Sequence, residues 1–338
     1  MAGVSLATAS RVVSKSSYRV SDATRRKVES AVAELDYSPS ALARALATRR
    51  SRLLGIVVGD ITDPYFSEIA RGVEDVARAN GYLSIVCNTD RTASTELRYV
   101  EMLRDYHAAA VIFAGGGRED DRDRAALEHA VRQLEDRGTR VIALIPRDFP
   151  ALGVGIDNRA ACADLARHLI ALGHRRIAYI DGPPGLTTSR LRMEGFRDTL
   201  AAAGLTPFAV FPGNYDYESG LEVAARIARD VLPDAVLASH DATAVGVLTG
   251  LQEFGIRVPD RLSVAGMGGL REAGLLGLTT VQFPMRRLGI EAARLALAEG
   301  ETGPEPIVLP HELIARRSTA PRLTTRQTAG PTDVEGIL

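Results

Sequence analysis

From Leu53 onward one pattern governs the chain: short apolar runs alternate with longer segments of helical period. The runs are Leu53–Gly59, Leu83–Cys87, Ala110–Ala114, Arg140–Ile145, Arg176–Ile180, Ala235–Ser239 and Leu262–Gly266. Between them lie Tyr65–Asn80, Thr95–Asp105, Arg122–Arg137, Ala160–Leu172, Arg190–Ala203, Glu218–Val231 and Ala242–Phe254. Several of these segments stop at a glycine (Gly81, Gly138, Gly173, Gly204, Gly255), the residue that takes the left-handed C′ position at least cost. A strand apolar along its whole length is buried on both faces, and helices spaced between such strands produce parallel sheets. About ten strands exceed one comfortable sheet, so the pattern predicts an α/β core of two similar parallel-sheet lobes.

Residues 1–52 lack that pattern and read as short helices without strands. Ser5 is placed to cap a helix running to Ser14, and a polar turn follows over Lys15–Arg19. Ser21 then caps a helix in which Val28, Val32 and Leu35 fall on one face. Tyr37, Ser38 and Pro39 end it, Ser40–Leu46 forms a further short helix, and Thr48–Arg52 is a basic linker. The near-neutral net charge of −1 hides an asymmetry. This piece holds ten basic and four acidic side chains, +6, whereas the other residues hold 31 and 38, −7. A basic arm on an acidic body suggests a polyanion-binding segment joined to a globular domain.

Several classes are set aside. No run of roughly 18 or more apolar residues is present, so no membrane span is expected. The N-terminus has no apolar h-region and does not read as a secretory signal, which points to the cytosol. Cys87 and Cys162 are too few for a disulfide framework or a cysteine-based zinc site and are expected as small buried hydrophobes. The six histidines show no paired metal spacing, so neither metal nor cofactor is expected. Gly115–Gly117 follows a strand but leads into Arg118-Glu119-Asp120-Asp121, not a phosphate-binding glycine motif. Ser239-His240-Asp241 has the residue types of a catalytic triad, but neighbours in sequence do not converge their side chains, and no enzyme is expected.

Ala2-Gly3-Val4-Ser5-Leu6-Ala7-Thr8-Ala9-Ser10-Arg11 reads as the turn and second helix of a helix-turn-helix, or else as an ordinary capped surface helix. The longer runs decide more. AGVSLATASRVVS, RVSDATRRKVESAVAELDYSPSALARALATRRSRLLGIVV, DITDPYFSEIARGVEDVARANGY, IDNRAACADLARHLIALGHRRIAYIDGP, RLRMEGFRDTL, YDYESG, VPDRLSVAGMG and LTTVQFP together resemble the lactose/galactose repressor family, up to Arg317-Ser318. The resemblance implies a dimeric transcription repressor: a helix-turn-helix headpiece, a hinge helix, and a two-lobed core like a periplasmic sugar-binding protein. Its partners would be double-stranded operator DNA, a second copy of the chain, and a small-molecule effector bound between the lobes. A solute-binding protein built on the same core is the alternative; it predicts an export signal and no headpiece.

Carried onto this chain, the resemblance divides it into a headpiece (1–38), a hinge and linker (39–52), a core (53–320) and a loose tail (321–338). Lobe 1 is taken as 53–158 with 282–306, and lobe 2 as 159–281 with 307–320. Leu6 and Ala7 fall where the family reads base edges, and Ser5, Thr8, Ser10 and Arg11 where it contacts phosphates or bases. Ala43 and Leu46 match the hinge-helix pair at the minor groove, the leucine acting as a wedge between base steps. Effector positions fall on Tyr65, Phe66, Asp157, Thr188, Arg192 and Tyr215. Arg192 is the charge-assisted donor or an interlobe ion-pair member, Asp157 the acceptor of a ligand hydroxyl, and Tyr65 a pocket or a core residue.

Three departures stand out. His240-Asp241 replaces the usual Asn-Asp, making His240 a new ligand donor or a lobe-interface histidine. Gly268 stands where the family carries an aspartate acceptor, so a less polar or anionic ligand is weighed beside a sugar or related metabolite. Met1 directly precedes the turn, where the resemblance implies a first helix of about ten residues. The expectation is therefore a truncated headpiece, arising from the assigned start or from the chain itself.

Overall fold

The computed structural model describes residues 2–13, 18–36, 51–117, 123–230, 232–300 and 305–322. Ala43, Leu46 and the rest of the expected hinge helix lie outside these, as does the tail beyond Arg322.

The headpiece contributes α1 (Leu6–Val13) and α2 (Asp22–Glu34). Ser5 Oγ accepts from Thr8 N at 3.2 Å, and Ser21 Oγ from Thr24 N at 3.3 Å, so both expected caps form. Val12 and Val28 are buried where the helices pack. Leu35 does not join that face: it follows the last helical turn and is exposed.

The first sheet holds β1 (Leu53–Val58), β2 (Leu83–Asn88), β3 (Ala110–Phe113), β4 (Arg140–Ala143), β5 (Leu152–Gly155) and β11 (Ile307–Val308), in the order β2-β1-β3-β4-β5-β11. Its helices are α3 (Pro64–Ala79), α4 (Ala93–Asp105), α5 (Arg124–Asp136) and α11 (Met285–Leu297). The second sheet holds β6 (Ile177–Ile180), β7 (Ala209–Phe211), β8 (Ala235–Ala238), β9 (Ser263–Gly268), β10 (Thr279–Gln282) and β12 (Glu312–Ile314), in the order β7-β6-β8-β9-β10-β12. With it pack α6 (Asn158–Ala171), α7 (Thr187–Ala202), α8 (Tyr217–Arg229), α9 (Asp241–Glu253) and α10 (Arg271–Leu276). All pairings are parallel except β10 with β12.

Both sheets repeat one doubly wound order, with the first strand of each lobe second from the edge. β1 and β3 form one switch point and β6 and β8 the other; ligands in such sheets bind beyond the carboxyl ends of the strands there. Close helix packing supports this arrangement. A Cβ on Gly72 would lie 2.1 Å from the Arg286 carbonyl oxygen, so α3 and α11 touch backbone to backbone.

The seven apolar runs all became strands. β5, β7 and β10 to β12 were not anticipated, being short or poor in apolar residues. Three boundaries are corrected. Asn158 opens α6 and Gln282 pairs with Gly268 and Glu312 in β10, so both belong to lobe 2. β11 pairs with β5, so 307–308 belong to lobe 1 and the last crossover falls between Val308 and Glu312.

Candidate functional site

The two switch points open into one cavity between the lobes, enclosing about 860 Å³ including its mouth. Lobe 1 supplies Asp63, Tyr65 and Phe66 after β1, Thr89 and Arg91 after β2, Glu96 on α4, Gly115 and Gly116 after β3, and Ile145 after β4. Lobe 2 supplies Thr188 and Arg192 on α7, Tyr215 before α8, His240 after β8, Gly268 at the end of β9 and Phe283 after β10.

Local sequence explains how several of these are held. Asp63-Pro64 starts α3: proline occupies the first turn, where an amide hydrogen would go unused, and Asp63 Oδ1 accepts from Tyr65 N at 2.9 Å. That cap sets Tyr65 and Phe66 at the cavity wall, their rings edge to face with centroids 5.1 Å apart. Burial pushes the Tyr65 hydroxyl up to about 12, so it stays a neutral donor. His240 caps α9 through Nδ1, which accepts from Ala242 N at 3.2 Å. Its Nε2 then carries the proton and faces Asp63 Oδ2 at 3.4 Å. Burial opposes the charge on Asp63, but His240, the Tyr65 amide and the charge of Arg91 together outweigh it and hold the carboxyl below its ordinary value.

Arg192 is only 4% exposed. Its Nε donates to Asn158 Oδ1 at 2.9 Å and its Nη1 to the Ser239 carbonyl at 2.6 Å. The guanidinium lies over the rings of both Tyr215 and Phe283, 5.5 and 5.3 Å from their centroids. Tyr215 has φ 61° and donates to or accepts from Ser189 Oγ at 2.9 Å. Arg91 likewise has positive φ, 54°. Two bulky residues held in the left-handed region, one from each lobe, thus meet at the cavity, where strained backbone commonly marks function.

The sequence expectations divide. Tyr65, Phe66, Thr188, Arg192, Tyr215 and His240 all line the cavity. Among the described residues Arg192 makes no interlobe ion pair, its partners being neutral groups of its own lobe. Asp157 does not line the cavity. It is the N-cap of α6, with Oδ1 accepting from Ala160 N at 2.9 Å, and it faces a separate groove beside Arg159 and Asp198. One residue further on, Asn158 reaches the site and orients Arg192. Asp63, Arg91 and Glu96 were missed; their position just beyond strand ends of a doubly wound sheet is the signal that finds them.

In the headpiece, Ser5, Leu6, Ala7, Ser10 and Arg11 are exposed and Thr8 is half-buried. Leu6 is 88% exposed, and Arg11 stacks over Tyr18 at 4.1 Å. No group of side chains suited to a metal ion occurs among the described residues. No helix among them is long and apolar enough to cross a membrane.

Comparison with known proteins gives independent findings. Residues 1–40 match the bacterial regulatory proteins of the lacI family, and residues 166–319 match the periplasmic binding protein-like domain. The HTH-type transcriptional regulator DegA of Bacillus subtilis is 34% identical over 330 residues, 95% of this chain and 96% of that protein. The ribose operon repressor of Halalkalibacterium halodurans is 31% identical over 326 residues, 94% of each. A crystal structure of the lac repressor dimer bound to operator and the anti-inducer ONPF aligns with a TM-score of 0.81 at 27% identity, over 94% of this chain and 96% of that one.

Proposed function

The chain belongs to the lacI family of bacterial regulatory proteins and is a transcriptional regulator; we propose that it binds operator DNA with its basic headpiece and that a small molecule in the interlobe cavity controls its affinity for that DNA. In this reading α1 enters the major groove. Leu6 and Ala7 meet base edges, while Ser5, Thr8, Ser10 and Arg11 contact phosphates or bases. Two copies of the chain bind the two halves of a pseudo-palindromic site, with Ala43 and Leu46 of each at the minor groove. The work is done in the cytoplasm, where the DNA is, and involves no catalytic step.

The observation that carries the sensing half is that both lobes present their switch points to one cavity already bridged by Asp63 and His240. A ligand there touches both lobes at once, so its affinity differs between open and closed arrangements, and that difference is what shifts a conformational equilibrium. Tyr65, Phe66, Thr188, Arg192, Tyr215 and His240 are the side chains assigned to ligand contact.

Selection of bound sites from a random duplex library, followed by footprinting over a range of salt, tests the DNA half. A symmetric protected site with steep salt dependence is expected. Absence of any sequence preference would sink the reading. The match of residues 1–40 to a regulatory family disfavours the alternative of a solute carrier without DNA binding.

A further inference from the structure

The cavity is rich in donors and poor in acceptors. Two carboxylates line it, and each already has a partner: Glu96 Oε2 accepts from Arg147 Nη2 at 2.7 Å, and Asp63 holds the α3 cap with one oxygen and faces His240 with the other. Gly268 offers no side chain. Against these stand two guanidiniums from opposite lobes. Arg192 is buried with only neutral acceptors, and its Nη2 has no hydrogen bond among the described residues. The Arg91 side chain makes no hydrogen bond among them either. Asp60 comes no nearer to it than 4.0 Å, and its other oxygen is engaged by Thr62 N and Oγ1 at 3.0 and 2.6 Å. Both arginines line the same cavity, Arg91 from beyond β2 and Arg192 from α7. The Tyr65 hydroxyl is a further donor with no protein partner among the described residues. A neutral polyol brings hydroxyl protons that need acceptors, whereas a buried cation on neutral partners needs an opposite charge.

We propose that the effector is an anion, a small carboxylic acid or acid sugar, whose negative charge is taken by Arg91 of one lobe and Arg192 of the other. This rests on the cavity being the effector site. Because the two cations come from different lobes, binding such an anion also draws the lobes together, so ligand charge and lobe closure become one event.

The test uses the full chain and calorimetric titration at constant ionic strength. Sodium D-gluconate, D-galacturonate and L-malate serve as probes, with D-glucose, D-galactose and glycerol as uncharged counterparts. At least one acid is expected to bind where its counterpart does not. Arg91→Gln and Arg192→Gln are each expected to weaken it about tenfold or more, the scale of one charge-assisted hydrogen bond. Circular dichroism of each variant checks that the fold is kept. Failure of every acid to bind, an uncharged counterpart binding equally well, or an acid indifferent to Arg91→Gln overturns the proposal. The failures are distinguishable: a sugar whose binding is lost in Arg192→Gln leaves the cavity as the effector site and removes only the anion. An acid indifferent to both substitutions removes the site as well.

Discussion

Nε2 of His240 stands 3.4 Å from Oδ2 of Asp63, and the two residues belong to opposite lobes. Each is also the N-cap of its own helix, so the contact joins the start of α3 to the start of α9. A second interlobe contact lies next to the cavity residues Gly116 and Thr188, where Thr187 N and Oγ1 donate to the Gly117 carbonyl at 3.1 and 3.2 Å. The two lobes are thus joined by at least two polar contacts.

Asp63→Asn and Asp63→Ala separate the two roles of this carboxylate. Asparagine keeps the cap and removes the charge facing His240; alanine removes both and costs about 1 kcal/mol more. The native carboxyl sits below its unfolded value, so its contribution is complete above about pH 4 and is lost as pH falls through the depressed native value. Denaturation across pH 2–5 therefore shows a shallower acid loss of stability in Asp63→Asn, about these pH values. An unchanged acid limb would remove the pair from the stability of the closed form.

Truncating Arg192 should be costly even without ligand. Arg192→Met leaves Asn158 Oδ1 and the Ser239 carbonyl buried without their donors, a loss of about 2–3 kcal/mol in urea denaturation. A loss below about 0.5 kcal/mol, the range of neutral surface changes, would show that these bonds do not matter.

Restoring the family's aspartate at Gly268 should not restore an acceptor. Gly268 has φ 138°, and a Cβ there would lie 3.5 Å from Oδ2 of Asp241. Burial already raises the Asp241 carboxyl, despite its bonds from Thr280 Oγ1 and the amides of Gly269 and Leu270. Backbone strain and a second carboxylate together make Gly268→Asp about 2–3 kcal/mol less stable by thermal denaturation.

Leu6→Ala separates folding from recognition. With the side chain 88% exposed, stability should stay within about 0.5 kcal/mol of the parent. Affinity for the selected operator should fall by about tenfold, while binding to random duplex at low salt is unchanged. Equal losses on both DNAs would remove Leu6 from base recognition.

Cys87 and Cys162 are both buried, and burial raises their thiols to about 11 and 12. Neither should react with a thiol reagent at pH 7 until the chain is denatured, because the thiolate is the nucleophile. Prompt labelling of the native protein at either site would contradict this packing.

Much of this was legible because it is local. An apolar run such as Leu54–Val58 is buried on both faces wherever it sits, and the helical segment after it forces a parallel return. Ser5 and Ser21 cap their helices through residues three positions on, within the reach of a sequence window. Weaker local signals were lost: β5 is Leu-Gly-Val-Gly, and β11 is two residues that become a strand only by pairing with it.

The site divides along the same line. The sequence by itself determined the lobed α/β architecture, the basic headpiece with its exposed helix, and the residue types Tyr65, Arg192, Tyr215 and His240. Only the tertiary structure decided that Asn158, not Asp157, supports Arg192, that Asp63 faces His240 from 177 positions away, and that Arg91 and Arg192 share one cavity. The reason is physical. Capping and burial are settled within a turn or a strand, whereas convergence depends on where the strand ends of two separate sheets land in space.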